Sequence, residues 1–482
     1  MSAGRRTTLG LALAFAAGLS PLAAQQRPDR SAPPPLGPAP VLTLPAVHKE
    51  TLPNGLRLWV LEHHEVPIVQ ANLVVLSGAG GDVPGQFGAA SMTAAMLDEG
   101  AAGKSALALA DEVEFLGARL ATSASFDASA VRLSTPAARL DESLALMAAV
   151  ALTPDFPATE LDRLRTERLT ALLQARDDPA SLIGLAFPRL LYGSEHRYGS
   201  SAGGTETTLK SLSVQDLQTF HRAHYRPDNA VLIVVGDTTA AQLRPLVDRS
   251  FGAWKAEGPR PAPLPVRAAP QPGKRQIFLV DKPGAAQSQI RIGLVGVPRS
   301  TPDYAALDVL NTMLGGSFTS RLNQNLREKN GYTYGAASRF DMRRSAGPFF
   351  ATAGVQTDKT APALQEFFNE LNGILKPVPA DELQKTKNYA ALSFPREFET
   401  TGQLAAKLEE LAVYDLPEDI YARYVPAVQA VTAADVARVA KQYLLLDHLA
   451  VVIVGDRASI EAPVRATGLG PVTVVPVDDV KK

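Results

Sequence analysis

A chain without cysteine must draw its chemistry from histidines, acids, hydroxyls and cations, and here their spacing excludes several reaction types. There is no thiol nucleophile and no thiolate metal site. Of the seven histidines, His63 and His64 are adjacent, so on a strand they point to opposite faces and do not share a ligand. His221 and His224 are spaced to share a helix face, but no carboxylate stands with them, and packing beside Tyr225 is the expected use. His48, His196 and His448 stand alone. Gly103-Lys104-Ser105 has the end of a phosphate-binding loop, yet Asp98 sits where the loop needs its first glycine. Gly78-Ala79-Gly80-Gly81 lacks the full dinucleotide fingerprint and reads as a turn. The helical stretch Gly88 to Gly100, GAASMTAAMLDEG, holds no histidine and keeps its only acids, Asp98 and Glu99, at its far end.

The elements that position these residues come in two copies. Ser213-Val214-Gln215-Asp216-Leu217 opens a helical pattern that ends before the apolar strand Ala230 to Val235 and the turn Gly236-Asp237. Thr432-Ala433-Ala434-Asp435-Val436 opens a second that ends before Ala450 to Val454 and Gly455-Asp456, and the spacing from acid to glycine is the same. Each begins on a Ser or Thr N-cap with an Asp in the first turn, which satisfies free amides and suits the helix dipole. Pro157-Ala158-Thr159-Glu160-Leu161 is matched by Pro379-Ala380-Asp381-Glu382-Leu383. The strand Ile68 to Leu76 and the helix around Ala89 to Leu97 are matched by Gln289 to Val295 and Tyr304 to Leu314. Matches in one order at a nearly constant offset predict an α+β fold of two duplicated α/β sandwich domains, each a sheet with helices.

Composition agrees with that size. The 482 residues are 46% hydrophobic and 20% charged, enough apolar material for two or more domains. Forty-eight basic residues balance forty-nine acidic ones, so no global field recruits nucleic acid or an anionic membrane. Arg5 and Arg6, the apolar run Leu9 to Leu19 and Leu22-Ala23-Ala24 before Gln25 predict an export signal over 1–24, cleaved after Ala24. That run is short for a membrane anchor, and no later segment predicts a span. Prolines make 25–47 an extended, poorly ordered leader, and a second cluster from Pro259 to Pro272 marks a linker over 258–274. The first domain is then 48–257 and the second 275–482.

Several separate motifs carry a resemblance. Leu52-Pro53-Asn54-Gly55-Leu56-Arg57, Tyr225-Arg226-Pro227-Asp228-Asn229 before a strand, and Leu314-Gly315-Gly316-Ser317-Phe318-Thr319-Ser320-Arg321-Leu322 resemble, in family order, the pitrilysin/insulinase-type zinc peptidases. The relatives include mitochondrial processing peptidase and the core proteins of the respiratory bc1 complex. The resemblance runs from about His48 to about Asp456. It implies that each chain forms half of a clamshell.

Active members carry His-x-x-Glu-His on the helix after the first long strand and a distal glutamate as third ligand. Two imidazoles at helical spacing face one metal, and the carboxylate takes a proton from the attacking water. The alignment puts Ser91 and Ala95 at the histidine positions and Ala94 at the base position. The distal ligand falls near Ala171 to Gln174, with no carboxylate, and Glu167 is off register. The resemblance therefore implies a degenerate zinc motif with no metal or other cofactor in this chain. The second half is similar to the family segment that sends an arginine and a tyrosine into the active chamber. Arg327 and Tyr334 match those positions, with Tyr332 as an off-register competitor, and both groups can donate to a carbonyl becoming an oxyanion. Gly315 and Gly316 are the expected contacts for partner or substrate, unless they only end a helix. The implied function is a non-catalytic subunit of an exported, periplasmic, heterodimeric zinc peptidase. It would bind peptide and pair, as heterodimer or dimer of heterodimers, with a homologue that holds the zinc. The alternative is a peptide-binding or structural scaffold without peptidase activity.

Overall fold

Two strands that read as unbroken apolar runs, Ala230–Gly236 and Ala450–Gly455, are buried along their whole length. Such runs belong in the middle of sheets covered on both faces, and each lies inside a six-stranded sheet. The computed structural model describes residues 37, 38, 40–259 and 266–480. The expected signal at 1–24 lies outside the described residues, as do most of the leader and 260–265 of the linker.

The first sheet is built from β1 (His48–Thr51), β2 (Arg57–Glu62), β3 (Ile68–Val75), β4 (Arg119–Ala124), β5 (Ser129–Pro136) and β6 (Ala230–Gly236). Its order is β1-β2-β6-β3-β5-β4, with β2 and β6 parallel. The second comprises β7 (Gln276–Asp281), β8 (Gln287–Val295), β9 (Thr333–Phe340), β10 (Pro348–Gln356), β11 (Ala450–Gly455) and β12 (Val472–Val475). Its order is β9-β10-β8-β11-β7-β12, and β7 pairs with β11 in parallel. Five strands thus repeat in the same order, and the duplication expected from sequence is present. The copies differ at one edge. There the first sheet adds an antiparallel β1 and the second a parallel β12.

Helices that matter here are α1 (Ala89–Met96), α2 (Ala158–Ala175), α3 (Pro179–Tyr192), α4 (Val214–His224), α5 (Tyr304–Asn311), α6 (Thr401–Tyr414) and α7 (Ile420–Ala430). Helices cross between the two halves. On α3, Leu182, Ile183, Ala186, Phe187 and Leu191 form a core with Val280, Val295, Val452 and Val454 of the second sheet. Reciprocally Leu404, Leu408 and Leu411 of α6, at helical spacing, cover Trp59, Val231, Ile233 and Val235 of the first. Each sheet has two apolar faces, and each half closes one of them with a helix of the other. Gly293 on β8 makes the room for this: a Cβ there would stand 2.7 Å from Cζ of Phe187.

The family-like phrases prove to be fasteners. Gly55 takes φ +93° in the turn between β1 and β2, while Asn54 Nδ2 donates to the carbonyls of Phe251 and Trp254 at 2.8 and 3.1 Å. Buried Arg226 pairs with Asp228 and also donates to the carbonyls of Glu257, Gly258 and Pro259, which clamps the start of the linker. The expectation of a poorly ordered leader needs correction at its end. Leu42, Leu44 and Val47 pack on the core beneath α6, because their apolar side chains meet a groove that α6 leaves open. Among the described residues no helix is long and apolar enough to cross a membrane.

Candidate functional site

The helix that could have held a metal is firmly placed. Asp82 accepts from the amides of Gly88 (2.7 Å) and Ala90 (3.0 Å), so its carboxylate caps α1 where the dipole favours an anion. Arg197 donates to the same carboxylate at 3.0 Å, and these side chains are 6% and 0% exposed. Burial pushes the Asp82 carboxyl above its ordinary range, and Arg197 with the two amides pulls it back. Gly88, at φ +100°, touches the backbone of Gly203, where any Cβ would collide at 2.6 Å from the carbonyl oxygen.

On this scaffold Ser91 and Ala95 lie half-buried one turn apart, and Ala94 is buried. The place opposite them holds a cation. Arg168 of α2 donates from Nη2 to the carbonyl of Ser91 at 2.9 Å, its Nη1 is buried without a partner, and burial lowers its pKa. Glu167 turns away to Arg163 at 2.7 Å, and Arg163 also takes Glu99 at 2.5 Å. Asp98 is pushed up by burial, and its carboxylate accepts from the Thr122 hydroxyl at 3.4 Å. A hydroxyl, two methyls and a guanidinium offer none of the donors a structural or catalytic zinc takes, so these residues do not fit the metal. Sequence reasoning missed Arg168 because it searched that stretch for a carboxylate. A basic residue beside Glu167 was the available signal.

The histidines serve elsewhere. His221 Nε2 donates to the Ala151 carbonyl (2.8 Å) and its ring stacks on Tyr225, and burial lowers its pKa, as it does that of His224. His63 and His64 do not converge. His64 Nδ1 meets Asp237 at 2.8 Å, and this hydrogen bond raises its pKa above 6.5.

The second lobe presents its groups openly. Asn323, in a wide π-type turn over Asn323–Lys329, accepts from the Ala336 amide at 2.9 Å and donates to the Ser317 carbonyl at 3.3 Å. That contact fixes the register of edge strand β9 beyond a bulge between Thr333 and Ala336. Thr333 Oγ1 closes the bulge by donating to the Gly335 carbonyl at 2.9 Å and accepting its amide at 3.1 Å. Bulges re-aim side chains, and Tyr334 stands 92% exposed. Tyr332 instead packs half-buried on the core, which separates the two candidate tyrosines. Arg327, from the preceding turn, lies with its guanidinium carbon 4.3 Å from the ring centroid of Phe318, itself 63% exposed. Its nearest acid is the adjacent Glu328, at 3.6 Å. Neighbouring polar groups are tied down, with Arg321 on Glu382 and Asn325 on Glu366 and Glu370. The result is a cation, a phenol and an exposed ring along the free edge of a sheet.

Gly315 and Gly316 are not presented together. Gly315 is buried under β9, where a Cβ would lie 2.3 Å from the Ser338 amide nitrogen, so its demonstrated role is packing. Gly316 is exposed and lies against Asn311. Neither adopts the left-handed conformation of a glycine helix stop.

Comparison with known proteins adds the following. The family model described as Insulinase (Peptidase family M16) matches residues 58–182, and that described as Peptidase M16 inactive domain matches residues 211–389. An uncharacterized zinc protease of Streptomyces coelicolor is 26% identical over 423 residues, 83% of this chain and 87% of its own. The crystal structure of a peptidase M16 inactive domain from Pseudomonas fluorescens superposes with a TM-score of 0.79 at 27% identity, covering 85% of this chain and 98% of that one. The periplasmic protease PqqL of Escherichia coli shares the fold, with a TM-score of 0.70 at 16% identity over 89% of this chain. This chain spans 51% of PqqL.

Proposed function

The chain belongs to the insulinase family of peptidases, family M16, and from that premise we propose that it is the subunit of a zinc peptidase that holds substrate without holding metal. The observation that carries this reading is the contrast between its lobes. The α1 face carries serine and alanine and meets a guanidinium, whereas the second lobe presents Tyr334 on β9 fully to solvent and Arg327, from the turn before it, half-exposed against Phe318. Zinc, with the water it activates, belongs in this reading to a homologous partner bearing His-x-x-Glu-His. The division matches relatives that place the two halves of the clamshell on separate chains.

Peptide adds in extended form to the free edge of β9, where main-chain hydrogen bonds give affinity with little sequence preference. Arg327 and Tyr334 then donate to the substrate carbonyl as charge develops on its oxygen. Such donors act only in the transition state and raise turnover more than binding. Export to the periplasm is part of the same proposal, supported by the Arg5–Arg6 and Leu9 to Leu19 pattern and by the periplasmic location of PqqL.

Reconstitution tests the pairing. The full chain, a zinc-bearing homologue and their mixture are assayed on an unstructured peptide, and cleavage is expected to rise only in the mixture. A mixture no more active than the homologue alone leaves the scaffold reading in possession.

A further inference from the structure

A cavity of about 580 Å³ opens between α5, α6 and α7, a size suited to a small organic molecule. The rings of Tyr304, Phe394, Tyr421 and Tyr424 face it, with Phe394 and Tyr424 centroids 4.1 Å apart. Its charges do not balance. Three cations line it, and each is already paired: Arg299 with Glu410 at 2.7 Å, Lys407 with Glu397, and Arg423 with Asp419 at 2.6 Å. Arg299 also lies 3.8 Å from the centroid of Tyr304. Two acids on the same walls, Asp308 and Asp415, have no ion-pair partner among the described residues. Asp308, on α5, accepts a hydrogen bond from the Tyr424 hydroxyl, and burial pushes its carboxyl above the ordinary range. Asp415 sits exposed at the C-terminus of α6, held there in the left-handed conformation at φ +51°.

We propose that this cavity binds an organic cation, an ammonium, amidinium or guanidinium carried on an apolar body, with Asp308 as its counterion and Asp415 at its mouth. An anion would find every facing cation engaged. A neutral apolar guest would cover Asp308 without supplying the charge its burial calls for. A cation gains both the carboxylate and the aromatic faces. The same chemistry comes from a free amine or from the Arg or Lys side chain of a peptide. The inference goes beyond the pairing proposed above and is tested on the single chain, so either can fail alone.

Calorimetric titration of the full chain with benzamidine and with benzamide, its neutral counterpart, reads the charge requirement. Benzamidine is expected to bind about tenfold or more tightly than benzamide, and Asp308→Asn, which keeps an acceptor for Tyr424, to remove that preference. Asp415→Asn, at the exposed rim, is expected to reduce it by a smaller factor and stands in if Asp308→Asn does not fold. A blocked tripeptide containing Arg, against the same peptide with citrulline, identifies the source. A tighter fit for the Arg peptide than for benzamidine assigns a side chain, and a weaker one assigns a free amine. The proposal is overturned if benzamide binds as well as benzamidine, if neither gives heat at about 1 mM, or if benzamidine affinity survives Asp308→Asn in a folded protein.

Discussion

In the reconstituted pair, Arg327→Ala and Tyr334→Phe each lower kcat by about a hundredfold and leave KM near its wild-type value. The magnitude is that of removing one preorganised donor from an oxyanion site. The split between kcat and KM follows because the donor meets charge that exists only in the transition state. The melting temperature of each variant stays near the wild-type value, since Tyr334 is 92% exposed and half-buried Arg327 has, among the described residues, no ion-pair partner closer than Glu328 at 3.6 Å. A structural role predicts the opposite pattern, with lost stability and unchanged turnover. Steady-state kinetics beside thermal unfolding distinguishes the two. Unchanged turnover in both variants removes the proposed role.

The largest effect on stability is expected at Asp82. Replacing it with alanine strands the Arg197 guanidinium, which is buried between Phe87 and Phe126 at 4.8 and 5.0 Å from their centroids. It also leaves the amides of Gly88 and Ala90 without their acceptor. Breaking a buried pair from one side costs about 3–5 kcal/mol, and the lost cap adds about 1 kcal/mol. Arg197 retains the carbonyl of Ala79 and the hydroxyl of Ser200, which places the total toward the lower end. Urea unfolding measures it, and a loss below about 1 kcal/mol contradicts the assignment. The Asp82→Ala/Arg197→Met double variant is expected to recover part of the loss, because the uncompensated charge is gone.

What could be read from sequence was local and periodic. Central strands buried on both faces must be continuously apolar, so AVLIVVG and AVVIVG announced themselves, as did the Ser213 and Thr432 caps, which form capping boxes with Asp216 and Asp435. The duplication followed from their common spacing. The exchange of α3 and α6 did not, because an apolar helix face records that it is buried and not by which sheet. The same holds for the end of the leader, whose Leu42, Leu44 and Val47 are covered by a groove made far along the chain. At the site, the placing of Ser91, Ala94 and Ala95 on one helix was legible by position. Arg168 was not, since only the fold brings α2 onto α1. The choice between Tyr332 and Tyr334 likewise depends on a bulge held by Asn323, a contact no periodicity encodes.

Division of labour between two chains is the central claim, and the location of zinc tests it most directly. Each subunit is stripped with a chelator, dialysed singly against zinc, and its metal content measured by atomic spectroscopy, then again after pairing. The account predicts about one zinc per pair, carried by the homologue before and after mixing, and none above background on this chain. One equivalent held by this chain alone, with peptide cleavage to match, contradicts it.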